Sequence, residues 1–211
     1  MSILKEAYQA MESIVGADFI SDDPGVCESY RKGGYGKNRP ALEGQALKPA
    51  CVILPGSTEE VRQILKVCNQ YKIPFVPIGC FGITTQAPKV PDVVSIDLKR
   101  MDYLEIDEKN MYAICGPGVI YAQLQAEALK LGLATEGPGC GVGATVIGNH
   151  LNAGVGPLEY RMGWAQRRML GVEWVLPDGD IVTLGSTALD DEDYFRLARA
   201  FLARVRLDAP T

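Results

Sequence analysis

The spacing of apolar residues becomes regular at about residue 50. Residues 50–54 form an apolar run of strand length that ends at Pro55-Gly56, and residues 74–78 form a second run. Between them, apolar residues recur at helical spacing behind a Ser57–Glu60 capping box. These residues are Val61, Ile64, Leu65, Cys68 and Tyr71. The pattern predicts a strand, a helix and a second strand that forms a parallel pair with the first.

The remaining chain mixes helical and extended patterns. Helices are predicted where Gly16 and Gly132 supply stops, and a hairpin is predicted at the turn Pro177-Asp178-Gly179-Asp180. The predicted helices span 3–15, 119–131 and a C-terminal segment that begins at Asp190. The predicted strands span 93–98, 103–107, 111–115, 171–176 and 181–184, and the strands 103–107 and 111–115 are predicted to form a hairpin through residues 108–110. Residues 17–49 are predicted to be an irregular lead-in segment.

Two glycine-bearing loops, residues 79–86 and 139–149, are candidate anion sites. Seven glycines in 137–156 disfavour a long regular helix there. Loops without Cβ atoms allow main-chain N–H groups to converge on a diphosphate. Each loop alone is also typical of a tight turn, but together they favour a cofactor phosphate site. The partial dinucleotide fingerprint at Gly139 is disfavoured, because the β-branched residues that follow it, and then Gly148, do not favour a helix.

Composition narrows the classes of function. The net charge is −5 and no long basic run occurs, which argues against a nucleic-acid partner. No stretch approaches 18 consecutive apolar residues, and the first 16 residues lack the apolar core of a secretory signal, so a cytoplasmic protein without a membrane span is expected. One histidine and the lack of a CxxC pair argue against a metal site.

Several short motifs follow one another between residues 48 and 179. They include Lys48–Val61, Tyr71–Ile78, Ala87–Val90, Asp97–Met101, Gly116–Val119, Val146–Asn149, Gly154–Gly156 and Gly171–Gly179. This ordered set resembles the FAD-binding domain of the vanillyl-alcohol oxidase / para-cresol methylhydroxylase flavoprotein family. Through VIGN, GVG and GVEWVLPDG it is more similar to the phenol-oxidising branch than to the glycolate oxidase branch.

The resemblance implies an α+β, two-lobed fold with FAD between the lobes. A small parallel βαβ lobe would span about 48–105 and a mostly antiparallel lobe 106–189, after a lead-in of 1–47 and before a helical tail of 190–211. The FAD diphosphate would lie on loop 79–84 and on 143–149. No histidine lies in 79–86, so non-covalent FAD is expected. The candidate cofactor-binding residues are Ile78, Gly79, Cys80, Phe81, Gly82, Ile83, Thr84, Pro117, Gly118, Gly139, Gly143, Ala144, Thr145, Gly148, Asn149, Gly154, Gly156 and Val182.

The implied function is hydride transfer from a small phenolic or hydroxy-acid substrate to flavin N5, followed by reoxidation by dioxygen or a protein electron carrier. A partner subunit or self-association would supply a substrate domain. The alternative is a flavin- or nucleotide-binding module without catalysis. His150 is the candidate catalytic group beside the flavin. Its alternative role is that of a partly buried imidazole hydrogen-bonded to the backbone.

Overall fold

The computed structural model describes residues 4–31, 48–79, 88, 90–135, 137–139, 141–152, 154–157, 163–185, 199–201 and 203–204. The chain divides into two compact units. The first comprises residues 1–100 and 175–181, and the second comprises residues 101–174 and 182–211. In the described part of the chain, no helix is both long enough and apolar enough to cross a membrane.

A four-stranded sheet forms the centre of the first unit. Its strands are β1 (Ile20–Ser21), β2 (Cys51–Ile53), β3 (Phe75–Ile78) and β4 (Val94–Asp97), in the order β1-β2-β4-β3. β2 and β3 run parallel, as predicted, but each pairs with β4 instead of with the other. All four residues of β4 are buried, as expected of a strand that has neighbours on both sides.

Helices cover both faces of this sheet. They are α1 (Lys5–Val15), α2 (Pro24–Ser29) and α3 (Thr58–Tyr71). Ser57 caps α3 by accepting the Glu60 amide at 3.2 Å, which confirms the predicted capping interaction. The lead-in prediction missed β1 and α2, although Asp23 begins α2 as an N-cap that accepts two amides.

Side chains alternate across β4 and separate two cores. Val94 and Ile96 pack with α1 and α3, in a cluster that includes Met11 and Ile64. The opposite face of the sheet carries a second cluster, formed by Cys27, Tyr30, Val52, Leu54 and Ile78. Ser95 and Asp97 alternate with the first-core residues and are buried as well. This second face therefore holds buried polar groups at the carboxyl end of β4.

The second unit combines small antiparallel sheets with two helices. Its elements are β5 (Leu104–Asp107), β6 (Tyr112–Cys115), α4 (Tyr121–Lys130), β7 (Leu133–Ala134), α5 (Val146–Leu151), β8 (Gly171–Val175), β9 (Ile181–Gly185), β10 (Arg199–Phe201) and β11 (Ala203–Arg204). β5 and β6 form the predicted hairpin, and β8 pairs with β9 across the predicted turn, where Gly179 has φ +92°. The core consists of one face of α4 packed on β6, β7 and α5.

Two predictions for this unit are wrong. A six-residue helix, α5, begins directly after Thr145, where β-branched residues and Gly148 were expected to prevent one. The predicted C-terminal helix is replaced at 199–201 and 203–204 by strands that pair with β6 and β7. Backbone pairing with those strands outweighs the helical spacing of the apolar residues. Residues 190–198 of the predicted helix lie outside the described residues.

Candidate functional site

The glycine-rich segment 141–149 is attached along its length to the start of α4. The amides of Tyr121 and Ala122 donate to the carbonyl oxygens of Ala144 and Val142 at 3.0 and 2.9 Å. The Val146 amide donates in return to the Val119 carbonyl oxygen at 2.9 Å. Gly141, at φ +101°, starts a turn that is closed by the Ala144 amide. The segment is thus fixed by the main chain of α4.

Two amides of this segment are directed away from α4. Thr145 forms an isolated antiparallel bridge with Ile120. The hydrogen bonds of this bridge are made by the neighbours of Thr145, namely the Ala144 carbonyl oxygen and the Val146 amide, so the N–H of Thr145 itself is directed away from α4. Within the described part of the chain, the amides of Thr145 and Gly143 have no backbone or side-chain acceptor. Thr145 is only 3% exposed. A buried amide is normally paired, so this one is exceptional within the described part of the chain.

The glycines of the segment have distinct steric surroundings. A Cβ at Gly148 would lie 2.6 Å from Thr145 Oγ1, and one at Gly154 would overlap the Asn149 carboxamide. A Cβ at Gly139 would lie 2.9 Å from the Val155 carbonyl oxygen, which accepts the Gly139 amide. Gly143, in contrast, has no group of the described residues within 4 Å of its Cβ position. The neighbouring backbone is therefore closely packed, and open space lies in front of Gly143.

A buried polar cluster lies under the segment. The Tyr121 hydroxyl accepts a hydrogen bond from Asn149 Nδ2 at 3.1 Å and lies 3.2 Å from His150 Nδ1. The two rings are stacked, with centroids 6.2 Å apart. His150 Nδ1 is 2.8 Å from the Val146 carbonyl oxygen, which can only accept, so Nδ1 carries a proton. With 5% exposure, His150 fits its structural alternative better than the catalytic one.

The first unit places Ile78 at the carboxyl end of β3, followed by Gly79. Ile78 is in register with Asp97 on β4. The Tyr30 hydroxyl donates to Asp97 Oδ2 at 2.6 Å, and Lys99 Nζ lies 3.2 Å from both groups. Burial raises the pKa of Tyr30, and its hydrogen bond to Asp97 raises it further. The predicted contacts Cys80, Phe81, Gly82, Ile83 and Thr84 lie outside the described residues.

The other candidate residues occupy several places in the second unit. Pro117 and Gly118 form the turn after β6, where the Gly118 amide donates to the Met101 carbonyl oxygen at 2.9 Å. Val182 is exposed on β9, and Gly156 lies two residues after Gly154. The structure therefore groups Gly139, Gly143, Ala144, Thr145, Gly148, Asn149 and Gly154 in one segment.

Sequence reasoning missed Tyr121 as part of this cluster. Its spacing with Leu124 and Ala128 assigned it to the core face of α4, where it does lie. The available signal was its hydroxyl, because a tyrosine on a fully apolar face needs a hydrogen-bond partner. Asp97 carried a similar signal, since an acidic residue that ends a buried strand requires compensating donors.

Comparison with known proteins identifies relatives for most of the chain. The model of a family described as FAD binding domain matches residues 49–185. The 4-cresol dehydrogenase [hydroxylating] flavoprotein subunit of Pseudomonas putida is 30% identical over 85% of this chain and 34% of its own length. The D-lactate dehydrogenase of Archaeoglobus fulgidus is 30% identical over 81% of this chain and 38% of its own length.

A solved structure matches the fold of both units. The p-cresol methylhydroxylase crystal structure, with substrate bound, superposes with a TM-score of 0.80 at 23% identity. The match covers 94% of this chain and 43% of that one. The chain thus spans about two fifths or less of each of these proteins, and the predicted α+β fold is confirmed. On these matches, the chain belongs to the family of FAD-binding domains of p-cresol methylhydroxylase type, found in FAD-linked oxidoreductases.

Proposed function

We propose that segment 141–149 holds the diphosphate of FAD through the main-chain amides of Gly143 and Thr145. The observation that carries this proposal is the buried Thr145 amide, which has no acceptor among the described residues. Diphosphate oxygens are strong acceptors, and the space in front of Gly143 allows a close approach to the backbone. The other candidate contacts predicted from the sequence, including Gly118 and Val182, belong to the same proposal.

FAD is bound without a covalent link in this proposal. The loop 79–86 has no histidine, and the ring of His150 is held against the Val146 carbonyl oxygen. Acid precipitation of the purified protein tests this point. Flavin that is released into the supernatant supports non-covalent binding, and flavin that remains in the pellet contradicts it.

The proposed activity is oxidation of a small hydroxyl-bearing substrate. Bound FAD supplies the acceptor for a hydride. Of the relatives above, one acts on 4-cresol by its name and another on D-lactate, so a para-substituted phenol and a hydroxy acid are the two substrate classes to test. The role of the chain's own residues is to bind and orient the cofactor.

A pair of glycine variants tests the cofactor site. Gly143→Ala adds a methyl group where the structure has open space, so the free energy of unfolding of the apoprotein should not change. The same methyl group would separate the diphosphate from the backbone, and we expect the Kd for FAD to rise about tenfold or more. Gly137→Ala is the matched control, because among the described residues its Cβ meets the flexible end of Gln125, at 3.2 Å.

Fluorescence quenching of FAD on titration of the apoprotein gives each Kd. The proposal is supported if Gly143→Ala weakens binding and Gly137→Ala does not. Equal affinities in both variants and the wild-type protein would place the diphosphate elsewhere. Wild-type protein that takes up no FAD would contradict the proposal as a whole.

A partner subunit, or a second copy of the chain, would complete the substrate site in this proposal. The name of the Pseudomonas putida relative describes a subunit. The β8–β9 hairpin exposes large apolar side chains, including Trp174 and Leu184 at 37% and 52%. Light scattering tests this expectation, and a mass of 22.9 kDa at every concentration, with and without the product of the neighbouring gene, would contradict it.

The cytoplasm is the proposed location. Cys27, Cys51, Cys68 and Cys115 are free thiols, as is usual in a reducing compartment. Fractionation of the native host tests this assignment, and recovery of the protein outside the cytoplasm would contradict it.

The second candidate function is a flavin-binding module without catalysis. It is favoured by the burial of His150, the one catalytic candidate taken from the sequence. Anaerobic mixing of the flavin-loaded protein with phenols and hydroxy acids separates the two functions. Bleaching of the flavin absorbance supports the oxidoreductase, and unchanged absorbance with every substrate and partner supports the module.

A further inference from the structure

We infer that Tyr121 is a positioning residue for FAD, which holds the turn 141–149 in its binding conformation; the inference rests on the proposed function. Tyr121 is 1% exposed and begins α4. It touches the glycine-rich segment at two separate places, through its main chain and through its hydroxyl.

The main-chain contact fixes one side of Thr145. The Tyr121 amide donates to the carbonyl oxygen of Ala144, the residue directly before Thr145. Because a peptide unit is planar, fixing that carbonyl also fixes the direction of the Thr145 N–H, which belongs to the same peptide. This N–H is the buried donor that lacks an acceptor in the described part of the chain.

The hydroxyl contact fixes the other side. Asn149 donates its Nδ2 to the Tyr121 hydroxyl at 3.1 Å, while its main-chain amide donates to the Thr145 carbonyl oxygen at 3.0 Å. Gly154 packs so closely against the Asn149 carboxamide that a Cβ at position 154 would overlap it. The carboxamide therefore cannot turn toward Gly154. Tyr121 and Gly154 together therefore hold Asn149, and Asn149 holds Thr145.

In the proposed site, the two donors are oriented by contacts of the protein's own chain. The Thr145 and Gly143 amides are directed away from α4, because the carbonyl oxygens of Ala144 and Val142 in the same peptides accept hydrogen bonds from α4. A site that is ordered in advance loses less conformational entropy on binding and has a higher affinity. The hydroxyl of Tyr121 is the one group of this residue that can be removed without changing the main chain or the ring stack.

The test compares Tyr121→Phe with Tyr103→Phe. The control variant removes the Tyr103 hydroxyl, which belongs to the same unit and has no hydrogen bond to the described residues. We expect Tyr121→Phe to raise the Kd for FAD about five- to tenfold and Tyr103→Phe to leave it unchanged. The visible circular dichroism of the flavin at saturation should change only in Tyr121→Phe, which a purely structural role would not produce.

A double-mutant cycle tests the route through Asn149. If Tyr121 acts through Asn149, the Kd of Tyr121→Phe/Asn149→Ala should equal that of Asn149→Ala alone. If the Kd of the double variant instead rises by the product of the two single-variant changes, the inference is overturned. A Tyr121→Phe variant with the same Kd and spectrum as Tyr103→Phe would overturn it as well. Wild-type protein that binds no FAD would instead remove the proposed function, and this inference with it.

Hydrogen exchange of the Thr145 amide in the apoprotein gives a measurement that does not depend on the cofactor. Exchange should be faster in Tyr121→Phe than in the wild-type protein or in Tyr103→Phe, because Asn149, which donates to the Thr145 carbonyl oxygen, loses part of its support. Identical exchange rates in all three proteins would overturn the inference even if the Kd for FAD changes.

Discussion

The Tyr30 hydroxyl donates a hydrogen bond of 2.6 Å to the carboxylate of Asp97, which lies 67 residues further along the chain. Asp97 is 1% exposed and also accepts the Lys99 amide at 3.0 Å. This bond connects the residue after α2 to the carboxyl end of β4. It therefore fastens the N-terminal part of the chain to the central strand of the first unit.

Loss of this bond should destabilise the protein. We expect Tyr30→Phe to lower the free energy of unfolding by about 2 kcal/mol, because a buried carboxylate loses a charge-assisted donor. Urea unfolding measures the change. Tyr8→Phe is the control, since the Tyr8 hydroxyl is 3.4 Å from the Ile20 carbonyl oxygen and makes a weaker bond. A loss for Tyr30→Phe no larger than that for Tyr8→Phe would contradict the prediction.

The same cluster should make stability decrease at alkaline pH. Burial and the Asp97 hydrogen bond raise the pKa of Tyr30. Burial lowers the pKa of Lys99, but its contacts with Tyr30 and Asp97 outweigh this effect and raise it. Both groups hold their protons more tightly in the folded state. Their contribution is therefore complete below the ordinary pKa values of about 10 and is lost as the pH rises through the raised ones.

Urea unfolding between pH 8 and pH 11 tests this sign. The stability difference between the wild-type protein and Tyr30→Phe should shrink as the pH rises above 10. A difference that stays constant, or that grows, would show that Tyr30 does not keep its proton more tightly in the folded state.

Four thiols should be unreactive in the native protein. Burial raises the pKa of Cys51 and Cys115 to about 12 and that of Cys68 to about 11, and it also raises the pKa of Cys27. Because the thiolate is the reactive form, a disulfide reagent at pH 8 should label these four residues only after unfolding in urea. Peptide mapping identifies the labelled positions, and native labelling of any of the four within minutes would contradict the expectation.

Gly154→Ala should disturb the polar cluster under the glycine-rich segment. The new methyl group would occupy the position of the Asn149 carboxamide, so Asn149 has to give up its bond to Tyr121. We expect a loss of about 1–3 kcal/mol in the free energy of unfolding of the apoprotein. Gly143→Ala, which has open space at its Cβ, is the control and should leave the stability unchanged. Equal free energies of unfolding for Gly154→Ala and Gly143→Ala would show that Asn149 can move without loss of stability.

The sequence predicted those elements whose signal is local. The helix at Thr58–Tyr71 has its cap at Ser57, and the hairpin turn has its positive φ at Gly179, where a residue without Cβ is favoured. Spacing also predicted β2, β3 and β4 as separate strands. It did not predict their order, because β2 and β4 are both buried on both faces and their apolar runs do not show which strand lies between the other two.

The missed features depend on contacts between distant residues. The helix at Val146–Leu151 forms although Gly148 has a low helix propensity, and it packs its buried Val146 into the core of the second unit. Likewise, Tyr121 and Asn149 are 28 residues apart, and no spacing rule joins them. The glycine-rich segment itself was predicted, because recurring glycines can be recognised in the sequence without a structure.

The carbonyl oxygens of Val142 and Ala144 accept the first two amides of α4, whose preceding residue, Ile120, provides no side-chain cap. The turn proposed to hold the cofactor is therefore also the N-terminal cap of a core helix. Mutations that reshape this turn for a different ligand would fray the helix at the same time. Natural selection cannot change one of these properties without acting on the other, which restricts the evolutionary routes open to this segment.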